Sequence, residues 1–152
     1  TYKGQSYMSR SGAITTIKTI MGAVSSPTFQ VVLIGEPLSI PSGDRVISAY
    51  FNGESAKTKT LGNVMVTQNW TVRAYFRVAP SQKAREALEL ELWNAVRSIQ
   101  TGFRADSQLG GNVTDLDISL ATVGWIDLGG NTFRSISFDL QLIELEAESI
   151  SA

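Results

Sequence analysis

Asp115 and Asp117, two residues apart, are the pair in this sequence best placed for acid–base chemistry. On an extended chain they share one face, roughly 7 Å apart. Such a pair can bind Ca²⁺ or Mg²⁺, or divide the acid and base roles of a hydrolase. The plainer reading is a polar strand face beside a loop. It is preferred because no EF-hand spacing surrounds the pair and no further group completes a catalytic set. Glu144, Glu146 and Glu148 alternate in the same way near the end of the chain, where a solvated or partner-facing edge is expected. The rest of the chemistry is narrow. With no histidine and no cysteine, the chain has no zinc, haem or iron–sulfur site held by those ligands, no disulfide, no thiol nucleophile and no Ser-His-Asp triad. Neither the Walker pattern nor the dinucleotide fingerprint occurs. Gly110-Gly111 and Gly129-Gly130 fall between strands rather than ahead of a helix, so they read as turns. No catalytic residue, metal or cofactor is expected.

Basic residues form small groups. Arg73 and Arg77 flank Tyr75 on one strand face, an arrangement that can stack a base. The balance of 13 Lys+Arg against 14 Asp+Glu gives no overall pull toward nucleic acid or anionic membrane. No nucleic-acid-binding signature accompanies the pair. Lys57 and Lys59 fall in a polar stretch after Asn52-Gly53, and Arg104 and Asp106 open a second one that runs to Asn112. The least ordinary feature is a helix that is apolar on two sides. At 100° per residue, Leu90 and Trp93 lie opposite the stripe of Leu88, Leu92 and Ile99, together with Lys83, Glu86 and Arg97. Such a helix is buried twice or meets another chain. Trp beside Arg is a composition typical of interface hot spots. The alternatives are an isolated exposed pair, or cover by an N-terminal helix.

The elements that must position these residues follow from periodicity. Ala13 to Val24 reads as an amphipathic helix with Ser9 or Ser11 as N-cap, ended by Ser25-Ser26-Pro27. Its threonines are weak helix formers, so it must lean on packing. Phe29–Ile34 and Val46–Phe51 read as strands separated by turns at Gly35-Glu36-Pro37 and Pro41-Ser42-Gly43-Asp44. A hairpin follows with a long exposed loop, Gly53–Gly62. Val64 to Val78 alternates cleanly: Val64, Val66, Trp70, Val72, Ala74, Phe76 and Val78 face a core, and Thr67, Asn69, Thr71, Arg73, Tyr75 and Arg77 face away. Gln82–Gln100 is the second helix, with Gly102 as its stop. Leu116, Ile118, Leu120, Ile126 and Leu128 share a parity in one closing strand. Ile136, Phe138, Leu140 and Leu142 do so in the other, where apolar parity then passes to Ile143 and Leu145. Gly129-Gly130-Asn131 joins the two.

These elements predict a single α+β domain over residues 1–152, with flexible termini at about 1–10 and 148–152. Its architecture is one twisted antiparallel sheet with helices packed on one face. No run of 18 apolar residues spans a bilayer. The first residues lack the pattern of a secretory signal, so the glycosylation tripeptides Asn69-Trp70-Thr71 and Asn112-Val113-Thr114 read as chance.

The order and texture of these elements resemble a known family. An N-terminal helix leads into VVLIGEPLSIPSGDRVISAYF, a hairpin, and the long strand VMVTQNWTVRAYFRV. The helix SQKAREALELELWNAVRSIQ and the closing pair VTDLDISLATVGWIDLGGNTFRSISFDLQLIELEAE follow. From about Ala13 to Glu148 this resembles the tail-terminator, or tail-completion, proteins of long-tailed bacteriophages. No short motif carries the resemblance. It implies a non-enzymatic virion protein, assembled in the host cytoplasm, that forms a hexameric ring. The ring caps the tail tube, ends its polymerisation and joins it to the head connector. Its partners are then itself, the tail tube protein and the connector or neck proteins. Genome DNA passes through the ring without sequence-specific contact, and no membrane is involved. Subunit-interface candidates, taken from exposure, are Leu90, Trp93, Arg97, Arg73, Tyr75 and Arg77. Tube or connector candidates are Lys57, Lys59, Arg104 and Asp106. Related neck and head-closure proteins share this outline. A small-molecule or carbohydrate-binding domain, or a hydrolase using Asp115 and Asp117, is the alternative from another class.

Overall fold

A computed structural model describes residues 10–37, 44–60, 63–78 and 81–147, with the side chains of 58–60, 63, 146 and 147 left out. Helix α1 (Arg10–Ala23) buries Ala13, Ile17 and Met21, spaced one helical turn apart. Thr15, Thr16 and Thr19 return their hydroxyls to the carbonyls of Ser11, Gly12 and Thr15. Strand β1 (Val31–Ile34) pairs in parallel with the start of β2 (Arg45–Thr60). Strand β3 (Asn63–Arg77) returns antiparallel to β2. Helix α2 (Gln82–Arg104) follows, capped by the Ser81 hydroxyl, which accepts from the Ala84 N–H at 3.2 Å. A 3-10 turn (Leu109–Gly111) leads to β4 (Asp115–Leu128) and β5 (Asn131–Ala147). Gly129 and Gly130, with φ of 58° and 81°, form the two-residue turn between them, a backbone that glycine adopts without steric cost.

The sheet order is β1-β2-β3-β5-β4, and the fold is α+β. The parallel β1 makes the sheet mixed rather than wholly antiparallel.

Both helices lie on one face. Ile47, Ala49, Trp70, Val72, Ala74 and Phe76 of β2 and β3, with Ile136, Phe138, Leu140 and Leu142 of β5, pack against Leu88, Leu92, Ala95, Ile99 and Phe103 of α2. Two ion pairs clamp α2 to the sheet. Arg45 holds both carboxylate oxygens of Glu91, and Arg134 holds both of Glu89 at 3.2 and 3.1 Å. Gly102 does not end α2. A Cβ there would sit 3.4 Å from Ile20 Cγ2, so the glycine lets α1 cross close to α2, and the helix continues to Arg104.

Three expectations about faces and loops are corrected. The stretch after Asn52-Gly53 is not an exposed loop: β2 continues to Thr60, and a register shift between Phe51 and Gly53 absorbs the extra residue. The apolar parity of β4 does not run through to Leu128. A second shift between Leu120 and Thr122 turns Ile126 and Leu128 to the far face. There they join Val46, Tyr75 and Phe133 in a second small apolar cluster. Val123 and Trp125 take the helix side instead, and both are exposed. In β5, by contrast, pairing with β3 is unbroken from Phe133 to Ala147. Glu144 therefore keeps the core-facing parity of Leu140 and Leu142.

Candidate subunit interface

Packing decides which residues on the outer side of α2 are available. Leu88, Leu92, Ala95, Ile99 and Phe103 are consumed by the core. Leu90 is 58% exposed and Trp93 78%, so α1 does not cover them; Arg97 beside them is exposed as well. The sequence reading missed what lies next to Trp93. A groove of about 440 Å³ runs between α2 and β4, lined by Trp93, Val96, Leu120 and Val123 over Leu92 and Ile136, with Glu89 at its end. Trp125 continues the patch, with the Arg134 guanidinium 4.7 Å over its ring. The signal was present in the sequence: alternation breaks at Ala121-Thr122, and Val123 and Trp125 carry on in the new parity.

The face of the sheet away from the helices differs. Tyr75 is not a surface group beside its arginines, because only 1% of it is exposed. It packs with Val46 and Phe133. Burial raises its phenol above the ordinary value of 10.0, while the neighbouring Ser48 hydroxyl and Arg73 oppose the rise. Tyr75 is thus unable to stack a base. Arg73 donates to Ser137 Oγ at 2.9 Å and lies over the Tyr50 ring. Arg77 pairs with Asp44 at 2.9 Å and lies over Phe133. Both arginines are half-buried and hold the sheet's own surface together.

The four tube or connector candidates separate. Lys57 is exposed, but on β2 rather than in a loop. Lys59 is on the same strand, with its side chain outside the described residues. Arg104 is in the last turn of α2, not in a loop. Its Nη2 donates to the Ile118 carbonyl at 3.1 Å, which ties the helix end to β4. Asp106 closes the next turn by accepting from the Gly110 N–H at 3.0 Å.

Of the acidic candidates, Asp115 and Asp117 are exposed on the bare side of β4, and Asp115 accepts the Leu116 N–H at 2.8 Å. Among the described residues, no group of three or more Asp or Glu is arranged to hold a metal. Glu144 is not a solvated edge residue. It is 1% exposed, and the Thr114 hydroxyl donates to its carboxylate at 3.4 Å. Strand parity places it under the chain that enters β4. The side chain of Glu146 and all of Glu148 lie outside the described residues, as do the ends of both expected flexible termini. No described helix is long and apolar enough to cross a membrane.

No protein-family model matches this chain, and no curated protein does. Among solved structures it is similar to the PVC sheath/tube terminator of an extracellular contractile injection system in its extended state. The TM-score is 0.45 and the identity 11%, covering 96% of this chain. The match spans 62% of that protein's length.

Proposed function

We propose that this chain is a non-enzymatic structural subunit of a phage tail that assembles with copies of itself into a hexameric ring. The ring caps the tail tube, ends its polymerisation and meets the head connector, so the protein resides in the virion. One observation carries the self-association: Leu90, Trp93, Leu120, Val123 and Trp125 form an apolar side on α2 and β4 that no other described residue covers. Exposed apolar patches of this kind mark protein contacts, and a central Trp rimmed by Arg and Glu is the composition of an interface anchor. The tail setting comes from the resemblance in element order. The polar end of the sheet, where β2 turns into β3, faces the tube or connector in this arrangement.

Light scattering on the full chain tests the reading. The expected result is a symmetric oligomer. Trp93→Ala should weaken association by about 2 kcal/mol or more and leave the denaturation midpoint nearly unchanged. A strictly monomeric chain at high concentration, or equal loss of stability and association in the variant, would overturn it.

A further inference from the structure

The two lateral edges of the sheet are unlike, and the strand registers bring some of their unlike features close in height. One edge is β4, an end strand along its whole length. The other is built in two pieces. Among the described residues, β1 covers β2 only from Val46 to Ala49, and from Tyr50 onward β2 is itself the edge.

Charge separates the two. β4 carries Asp115, Asp117 and Asp127 and no lysine or arginine. The free part of β2 carries Lys57 and Lys59. Its one carboxylate, Glu54, accepts from Arg10 at 3.3 Å and from Gln68 at 3.0 Å. Among the described residues, Asp115, Asp117 and Lys57 form no ion pair.

Height follows from tracing the ladders across the sheet. Asp115 is level with Ile143, Thr67 and Ser55, and Lys57 is the next residue of the same parity on β2. Leu120 is level with Phe138, Val72, Ala49 and, through Ala49, Ile34. Leu120 and Ile34 are 41% and 38% exposed and share the helix-bearing side. Just beyond Ile34, Phe51 and Trp70 line an apolar hollow of about 490 Å³ against Ile14. Finally, β4 runs opposite in sense to β1 and β2, so abutting edges are antiparallel, the sense in which ladders pair best.

We propose, building on the ring reading above, that copies join side by side through these unlike edges. The β4 edge of one copy lies against the β1–β2 edge of the next. Asp115 meets Lys57, two residues beyond its level, and Leu120 meets Ile34. Contact between unlike patches is heterologous, and it makes rings when rotation alone relates neighbours and open helices when a translation is added. Asp115 is level with Ser55 and Leu120 with Ile34, so neighbours need little sliding along the strands, which favours a closed ring over an open helix.

The absence of native cysteine makes cross-linking clean. Ser55→Cys and Asp115→Cys mark the two edges at one level, and both residues are exposed. In the double variant, oxidation should give a ladder of covalent multimers ending at the ring's full count. Each single variant should remain uncross-linked, and a mixture of the two should stop at covalent dimers. Independently, Lys57→Glu should weaken association about tenfold, and Asp115→Lys in the same chain should restore it. Single variants that cross-link to themselves, or a double variant without a ladder while wild type is oligomeric by light scattering, would overturn the edge assignment and leave the ring standing. A monomeric wild type overturns both.

Discussion

Along α2, Leu88, Leu92, Ala95, Ile99 and Phe103 are sealed against the sheet, while Leu90 and Trp93 on the same helix stand in solvent. The side-chain chemistry of the two sets is nearly the same. What differs is the number of protein atoms each side chain meets. The inner set is surrounded, and each member contributes transfer and packing energy to this chain. The outer set, 58% and 78% exposed, gains far less from this chain's own folding. In the proposed ring the outer set is buried by association instead, and that contrast is what variants can break or sharpen.

Phe103→Ala should produce the largest effect. The ring is fully buried at the end of α2, and emptying such a site costs about 3–5 kcal/mol, read as a lower denaturant midpoint. A cost below about 1 kcal/mol would mean the inner side is not the one that stabilises the fold. Glu91→Gln weakens the clamp between α2 and Arg45. Because the pair is partly solvated, the expected loss is about 1 kcal/mol. Tyr75 offers a test on the far face of the sheet. Its phenol is raised by burial, so as pH rises past about 10 the unfolded chain ionises while the folded one keeps its proton. Stability therefore falls with rising pH in the alkaline range. In Tyr75→Phe that fall should be shallower; an unchanged slope would mean Tyr75 is solvated. Trp93→Ala should be the smallest of the series in folding, within about 0.5 kcal/mol, despite removing the largest side chain on the helix. A folding cost like that of Phe103→Ala would erase the difference between the two sides of α2.

The parts of the fold that were legible in the sequence are those written in local periodicity. Alternation over β3 and the 3.6-residue stripe of α2 name their core residues directly, because side-chain direction on a regular element is fixed by the backbone. The turn at Gly129-Gly130 was legible because its backbone favours glycine. Legibility ended where the element is irregular. One extra residue at Ala121 flips every later side chain of β4, and a reading that assumes unbroken pleating assigns Ile126 and Leu128 to the wrong face. Tyr75 failed differently: it lies on the polar parity, but Val46 and Phe133 on neighbouring strands close over it. Glu144 failed for the same reason, since an acidic residue near a chain end reads as solvated until its neighbours across the sheet are known.

The sequence by itself determined the class of protein that is excluded here and the elements that form. Missing histidine and cysteine remove whole chemistries, and the alternation of apolar and polar residues sets helix or strand. Which apolar residues remain uncovered was decided only by the tertiary structure. Burial is a property of neighbours brought together from distant parts of the chain. Trp93, Leu120 and Val123 come from a helix and an edge strand well separated in sequence. They become one surface only when α2 is clamped over the sheet by Arg45 and Arg134 and the bulge at Ala121 turns Val123 toward it.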